Sequence, residues 1–190
     1  HRDTTYTGKG TLNGKPFNIH CRRVPLNLTA EQVFVNHFAD TSFWLDSALV
    51  KGFSRFSYMG DATGPHAEII TYNLPNRKVT VQCNGKVSIY NESIFTYLDR
   101  TLRERHATTE GLPFDFNLGY AGYLGYELKA DCGADNAYKS PLADAAFIFA
   151  DRIIAFDHEQ DIAYLVCLDD EEHTDRARAW LDTMYEALQN

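Results

Sequence analysis

The sequence predicts an α+β fold: mainly antiparallel β-sheets, sandwich-like, with about three flanking helices in a single domain. Three observations carry this. Two Asn-Gly pairs, Asn13-Gly14 and Asn84-Gly85, each lie between strand-like runs, and that pair tolerates the positive φ angles of tight hairpin turns. Apolar residues recur at helical spacing in three separate stretches. Three further strand-like runs follow one another late in the chain, just before the last of those stretches.

Taken in order, residues 7–12 and 17–23 form the first hairpin, and Pro25 stops its second strand. Thr29 caps a helix, Gln32 stands where a capping box needs it, and Val33, Phe34 and Phe38 form the buried stripe. Residues 43–48 read as a strand. After the Lys51-Gly52 break, residues 53–60 alternate as a half-buried strand does. Residues 67–72 make another strand, Leu74-Pro75-Asn76 a turn, and residues 78–82 and 86–90 the second hairpin. Asn91 or Ser93 opens the second helix, with Ile94, Tyr97, Leu98, Thr101 and Leu102 on one face and Arg103 and Arg105 at its C-terminal end. The polar residues 108–113 lead into a glycine-tyrosine strand, and residues 129–141 are irregular. Residues 145–150, 152–156 and 162–168 are strands, the last two joined by the turn at 157–160. A helix over 171–188, carrying Ala177, Trp180, Leu181, Met184 and Leu188, closes the chain.

The totals exclude several functions. A chain of 190 residues can bury roughly 70% of its unfolded surface as one domain. No apolar run approaches the ~18 residues of a membrane span, and no signal-peptide pattern opens the sequence. A net charge of -8 argues against nucleic-acid or anionic-membrane surfaces. Cys21, Cys83, Cys132 and Cys167 are scattered without Cys-x-x-Cys spacing, which fits a reducing cytoplasm. The first residue is His1, so the expected source is a processed product or a piece of a longer protein.

The chain is organised around residues 116–127, where Gly119, Gly122 and Gly125 are each followed by a tyrosine: Tyr120, Tyr123 and Tyr126. Three interior glycines cost a helix roughly 1 kcal/mol each. In a strand the three-residue step sends successive glycines to opposite faces, leaving gaps beside large rings. Either the glycines only relieve crowding in a central strand, or this is a packing junction where another backbone or a ligand approaches closely.

Catalytic signatures are missing from the sequence. The Gly-x-x-Gly-x-x-Gly run lacks the lysine and the strand-to-helix context of a phosphate loop, and there is no metal-ligand spacing and no nucleophile elbow. The histidines at 20, 37, 66, 106, 158 and 173 are dispersed, mostly in turns or on helix faces, where solvation is the expectation. Two polar clusters remain, Leu45-Asp46-Ser47 and Ser54-Arg55-Phe56-Ser57. Brought together by adjacent strands, they suit a small zwitterion. Asp46 takes the ammonium, Arg55 or backbone N–H groups take the carboxylate, and Phe53 or Phe56 covers the apolar part. The plainer alternative is a cross-strand Asp46–Arg55 ion pair worth about 0.2–1 kcal/mol.

These stretches resemble the N-terminal domain of the chorismate-binding synthases, the family of anthranilate synthase component I and aminodeoxychorismate synthase component I. Residues 45–47 with 54–60, residues 119–127, residues 141–147 and residues 151–158 match family elements in the right order. Phe43-Trp44-Leu45-Asp46-Ser47, Ser54-Arg55-Phe56-Ser57 and the run at 146–152 are nearer the aminodeoxychorismate (para-aminobenzoate, folate) branch than the anthranilate branch.

The resemblance implies a non-catalytic domain leading into a chorismate-binding catalytic domain that holds Mg²⁺. It also implies a glutamine amidotransferase, fused or separate, that supplies ammonia. On this view residues 1–190 hold no catalytic residue, no metal and no cofactor, and the fragment alone is inactive. The family holds tryptophan in this region, which places Asp46, Ser47, Ser54, Arg55 and Phe56 in a tryptophan-like site and Gly119 to Tyr126 in domain packing. Asp46 stands where the anthranilate branch has glutamate. The shorter reach predicts weak or undetectable tryptophan binding. A pure scaffolding module without a ligand, and the anthranilate synthase branch, are the competing expectations.

Overall fold

The computed structural model describes residues 5–38, 42–46, 56–108 and 145–189, with backbone alone at 42–46, 106–108 and 145. The glycine-tyrosine stretch at 116–127 lies outside the described residues, as does Cys132.

Turn chemistry sets the two hairpins. β1 (Thr5–Leu12) and β2 (Lys15–Pro25) meet at Asn13 and Gly14, whose φ angles are 53° and 80°. β6 (Lys78–Cys83) and β7 (Lys86–Tyr90) meet at Asn84 and Gly85, at 51° and 78°. Positive φ at both central residues matches the turn to the right-handed strand twist. A Cβ at either glycine would touch nothing, so conformation alone calls for glycine there.

The other strands are β3 (Ser42–Asp46), β4 (Phe56–Asp61), β5 (Glu68–Asn73), β8 (Arg105–Thr108), β9 (Ala145–Phe149), β10 (Arg152–Asp157) and β11 (Ile162–Asp170). They build a seven-stranded sheet in the order β3-β4-β10-β11-β2-β1-β8 and a four-stranded sheet in the order β7-β6-β5-β9. Every described pairing is antiparallel. The α+β expectation holds.

Three helices complete the described layers. α1 (Ala30–His37) starts at the predicted capping box: Gln32 N donates to Thr29 Oγ1 at 3.2 Å, and Thr29 N donates to Gln32 Oε1 at 2.9 Å. α2 (Ile94–Glu104) is capped by Ser93, and α3 (Thr174–Gln189) follows a short 3-10 turn. The large sheet is covered on both faces. On one, Val24, Met59, Ile154, Phe156 and Leu165 meet Val33 of α1 and Ala177, Leu181 and Leu188 of α3. On the other, Ile19, Cys21, Ile153 and Val166 meet Phe149 of β9. A third core lies between α2 and the small sheet, around Ile70, Val79, Val81, Ile94 and Tyr97.

Several details differ from expectation. β4 alternates over its first four residues, with Ser57 and Met59 buried and Phe56 and Tyr58 half-buried on the opposite face, and Gly60 and Asp61 after them are buried as well. The strand sits between β3 and β10 with cover on both sides, so apolar character does not mark a single inner face. Leu102, placed on the buried stripe of α2, is 54% exposed. Arg105 is the C-cap residue of α2, as its place at the helix end predicts, but its side chain serves the small sheet. The same residue opens β8, pairs with β1 through Leu12, donates to Glu68 Oε1 at 2.8 Å and lies 4.3 Å over the Phe149 ring. Thr108, the first residue of the polar run that leads toward the glycine-tyrosine stretch, pairs with Lys9 as the last residue of that strand.

Candidate functional site

Strand register brings two of the predicted site positions, Asp46 and Phe56, to one end of the large sheet. Asp46 pairs with Ser57, which pairs with Phe156; next to them Phe56 pairs with Asp157, which pairs with Ile162. Asp46 and Phe56, ten positions apart in sequence, thus meet at one end of three adjacent strands. Ser47, Ser54 and Arg55 lie outside the described residues. At the same end the Ser57 hydroxyl stands 2.6 Å from Nε2 of His158, a residue first expected only as part of a turn. Asp157, buried beside them, accepts hydrogen bonds at Oδ1 from the N–H groups of Glu159 and Gln160 at 3.0 and 3.3 Å.

Four rings floor this end of the sheet. Phe56 stacks on Tyr58 with centroids 6.2 Å apart, and Tyr6 meets Tyr164 edge-on at 6.2 Å. Tyr6, Phe56 and Tyr58 are half-buried and border the core shared with β9. Burial, and then Tyr6, push the Tyr164 hydroxyl above its usual acidity range. Asp157, which pairs with Phe56, shares the face that carries these rings, whereas Ser57 with its His158 contact, and the Asp46 position paired with it, lie on the other face of the sheet. Tyr6 and Tyr164 carried no signal in sequence, because strand order alone brings them together.

A second cluster joins the turn before β5 to the C-terminal helix. Asp169, fully buried, accepts from Arg176 Nε at 2.8 Å and Nη2 at 2.7 Å, and its Oδ1 is 2.9 Å from His66 Nε2. Burial pushes the Asp169 carboxyl up, but the hydrogen bonds from Arg176 and His66 outweigh it and hold the group below the ordinary range. His66 is therefore engaged, not a solvated turn histidine. His20 is half-buried too, with its Nε2 buried and unpartnered among the described residues, and burial disfavours its protonation. His66, Asp169 and Asp170 bring ligand atoms within 4.8 Å of one another. Mg²⁺ asks for octahedral oxygen ligands and retained waters. Here the Arg176 guanidinium already takes both oxygens of Asp169, so this cluster does not fit Mg²⁺.

The same turn holds a buried carboxyl of opposite character. Asp151, fully buried, accepts from the His66 N–H at 2.9 Å, and burial pushes its carboxyl above the usual range. Gly64 must be glycine, since a Cβ there would lie 1.8 Å from Asp151 Oδ1. Cys21, Cys83 and Cys167 are free thiols, and burial pushes Cys21 and Cys167 up to about 12, far from any nucleophilic role. No helix among the described residues is long and apolar enough to cross a membrane.

No family model matches the chain. Among individual proteins, it is 44% identical over 156 residues to an aminodeoxychorismate synthase of Streptomyces pristinaespiralis, covering 80% of this chain and 22% of that protein. It is 39% identical over 163 residues to an aminodeoxychorismate synthase of Streptomyces griseus, again 22% of the relative. To the chloroplastic aminodeoxychorismate synthase of Arabidopsis thaliana it is 34% identical over 157 residues, 17% of that protein. The chain thus spans about a fifth of the length of the relatives it matches. Over most of its own length, this chain is a homologue of one segment of the aminodeoxychorismate synthases.

Proposed function

We propose that the chain is the N-terminal, non-catalytic domain of an aminodeoxychorismate synthase. The parent enzyme converts chorismate and glutamine-derived ammonia into 4-amino-4-deoxychorismate for para-aminobenzoate and folate synthesis in the cytoplasm. The observation that carries this reading is the 44% identity over 80% of the chain, set against coverage of 22% of the relative. Chemistry, Mg²⁺ and the chorismate site belong to the following domain, and a glutamine amidotransferase, fused or separate, completes the assembly. Chorismate and ammonium supplied to the 190-residue chain are expected to give no product, whereas the full-length polypeptide turns them over; product from the chain alone refutes the assignment.

Within that enzyme, the strand-end site is a regulatory or structural pocket for an aromatic amino acid of tryptophan type. Half-buried Phe56 and Tyr58, stacked on one face with Asp157 paired to Phe56 at the strand end, support this. The short Asp46 side chain makes the pocket weak in the isolated chain. Calorimetric titration with tryptophan is expected to show at most weak binding, lost on Phe56→Ala; low-micromolar affinity contradicts the reading. A scaffolding role without a ligand competes with this one, and it draws support from the open strand considered next.

A further inference from the structure

We propose that β7 is a docking edge, onto which an extended segment of the longer polypeptide adds as a fifth strand of the small sheet. Among the described residues β7 has a neighbour on one side only. All five of its residues are exposed, Val87 at 57% and Ile89 at 58%. Residues flanking a two-residue hairpin turn form a hydrogen-bonded pair. Lys86 is therefore bonded to β6, as are Ser88 and Tyr90 in alternation, and Val87 and Ile89 aim their N–H and C=O groups outward. The usual protections of an edge are nearly absent: β7 has no proline and a single lysine, Lys86. The neighbouring α2 adds Phe95, 76% exposed, and Leu102. Five of the seven large apolar side chains exposed among the described residues therefore lie on these two adjacent elements.

Area decides the occupant. A five-residue edge offers on the order of a few hundred Å² per partner, short of the roughly 600 Å² per partner at the low end of stable free association, so a second copy is poorly held. A segment of the same polypeptide meets the edge at an effective concentration of about millimolar, and a small patch then suffices. Relatives in which this region is 22% of the length have ample chain to supply it. This rests on the reading of the chain as part of such a protein.

The expected segment carries apolar side chains opposite Val87 and Ile89 and a lysine or arginine beside them. Adjacent to the edge is a cavity of about 530 Å³ in which Glu68, Glu92 and Glu104 outnumber Arg100 and Arg105. Both arginines already bind carboxylates, Arg100 to Glu92 and Arg105 to Glu68.

Amide hydrogen exchange tests this in the 190-residue chain and in the full-length polypeptide of the same reading frame. The Val87 and Ile89 amides are expected to exchange nearly unprotected in the short chain and at least ~100-fold more slowly in the long one. Val87→Lys with Ile89→Lys abolishes that protection and moves the short chain's Tm by no more than about 2 °C. Equal exchange in both proteins overturns the proposal. So does a short chain that sediments as a dimer with these amides already protected, since the occupant is then a second copy. Chorismate conversion by the long protein is scored separately, so failure of the enzyme assignment is distinguishable from failure of the docking edge.

Discussion

β11 and β7 are both strands of antiparallel sheets, yet one is buried along nearly its whole length and the other is exposed along all of it. β11 lies between β10 and β2, with helices on one face and β9 on the other, which is why its residues from Ile162 to Leu168 need no polar face. β7 ends its sheet in the order of strands, and apolar Val87 and Ile89 have no described cover. The molecule thus has a finished side and an unfinished one. Stability belongs to the first, and the docking proposed above concerns the second.

The sharpest way to break this comparison is to cut into the finished side. Phe156 is 1% exposed beside β11 and is packed with Leu165, Met59 and Leu181. Phe156→Ala removes a large buried ring and leaves a cavity, so urea unfolding at pH 7 should show a loss of about 3–5 kcal/mol. A loss below about 1 kcal/mol would mean that the large sheet is not the rigid half of the molecule.

The joint between the sheets comes next in size, and its pH dependence has a definite sign. The Asp169 carboxyl lies below its ordinary range in the folded chain, so its contribution is present above the unfolded carboxylate value near 3.9 and is lost as pH falls through the folded one. Asp169→Asn breaks a buried pair whose guanidinium partner still reaches solvent, and should cost about 2 kcal/mol at pH 7. That difference from wild type should shrink in acid. Asp151 works in the other direction. Its carboxyl is raised by burial, so its contribution is present below about 3.9 and declines as pH rises through the folded value. Asp151→Asn removes the charge that burial opposes and keeps an acceptor for the His66 N–H, so stability at pH 7 stays level or rises. If both variants lose stability equally at pH 7, the two aspartates are not the opposed pair described.

Sequence made the local parts legible. Asn-Gly turns, the Thr29–Gln32 capping box and the inward residues Ile94 and Tyr97 each depend on neighbours a few positions away. The pairing of Asp46 with the start of β4 was within reach for the same reason. Long-range pairing was not. β8 is a short polar strand whose partner β1 lies far back in the chain, and nothing in Arg105-His106-Ala107-Thr108 marks it as a strand. The Ser57–His158 contact joins residues 101 positions apart, and His66–Asp169 joins residues 103 apart. Tyr6 faces Tyr164 only because β2 lies between β1 and β11. A site assembled by strand order leaves no spacing to read in the sequence.

The smallest effect bears most directly on the unfinished side. Val87→Ala deletes two methyl groups from a side chain that is 57% exposed on an edge strand, with no core cluster around it. Burial therefore contributes little, and the remaining cost is strand preference, whose full range is about 1 kcal/mol. The 190-residue chain should lose no more than about 0.5 kcal/mol in urea unfolding, within the usual scatter of surface substitutions. In the full-length polypeptide the same substitution removes apolar area from a filled interface and should cost more. Val87→Ala costing the short chain above about 1.5 kcal/mol would show that β7 is already covered, and the contrast with β11 would then collapse.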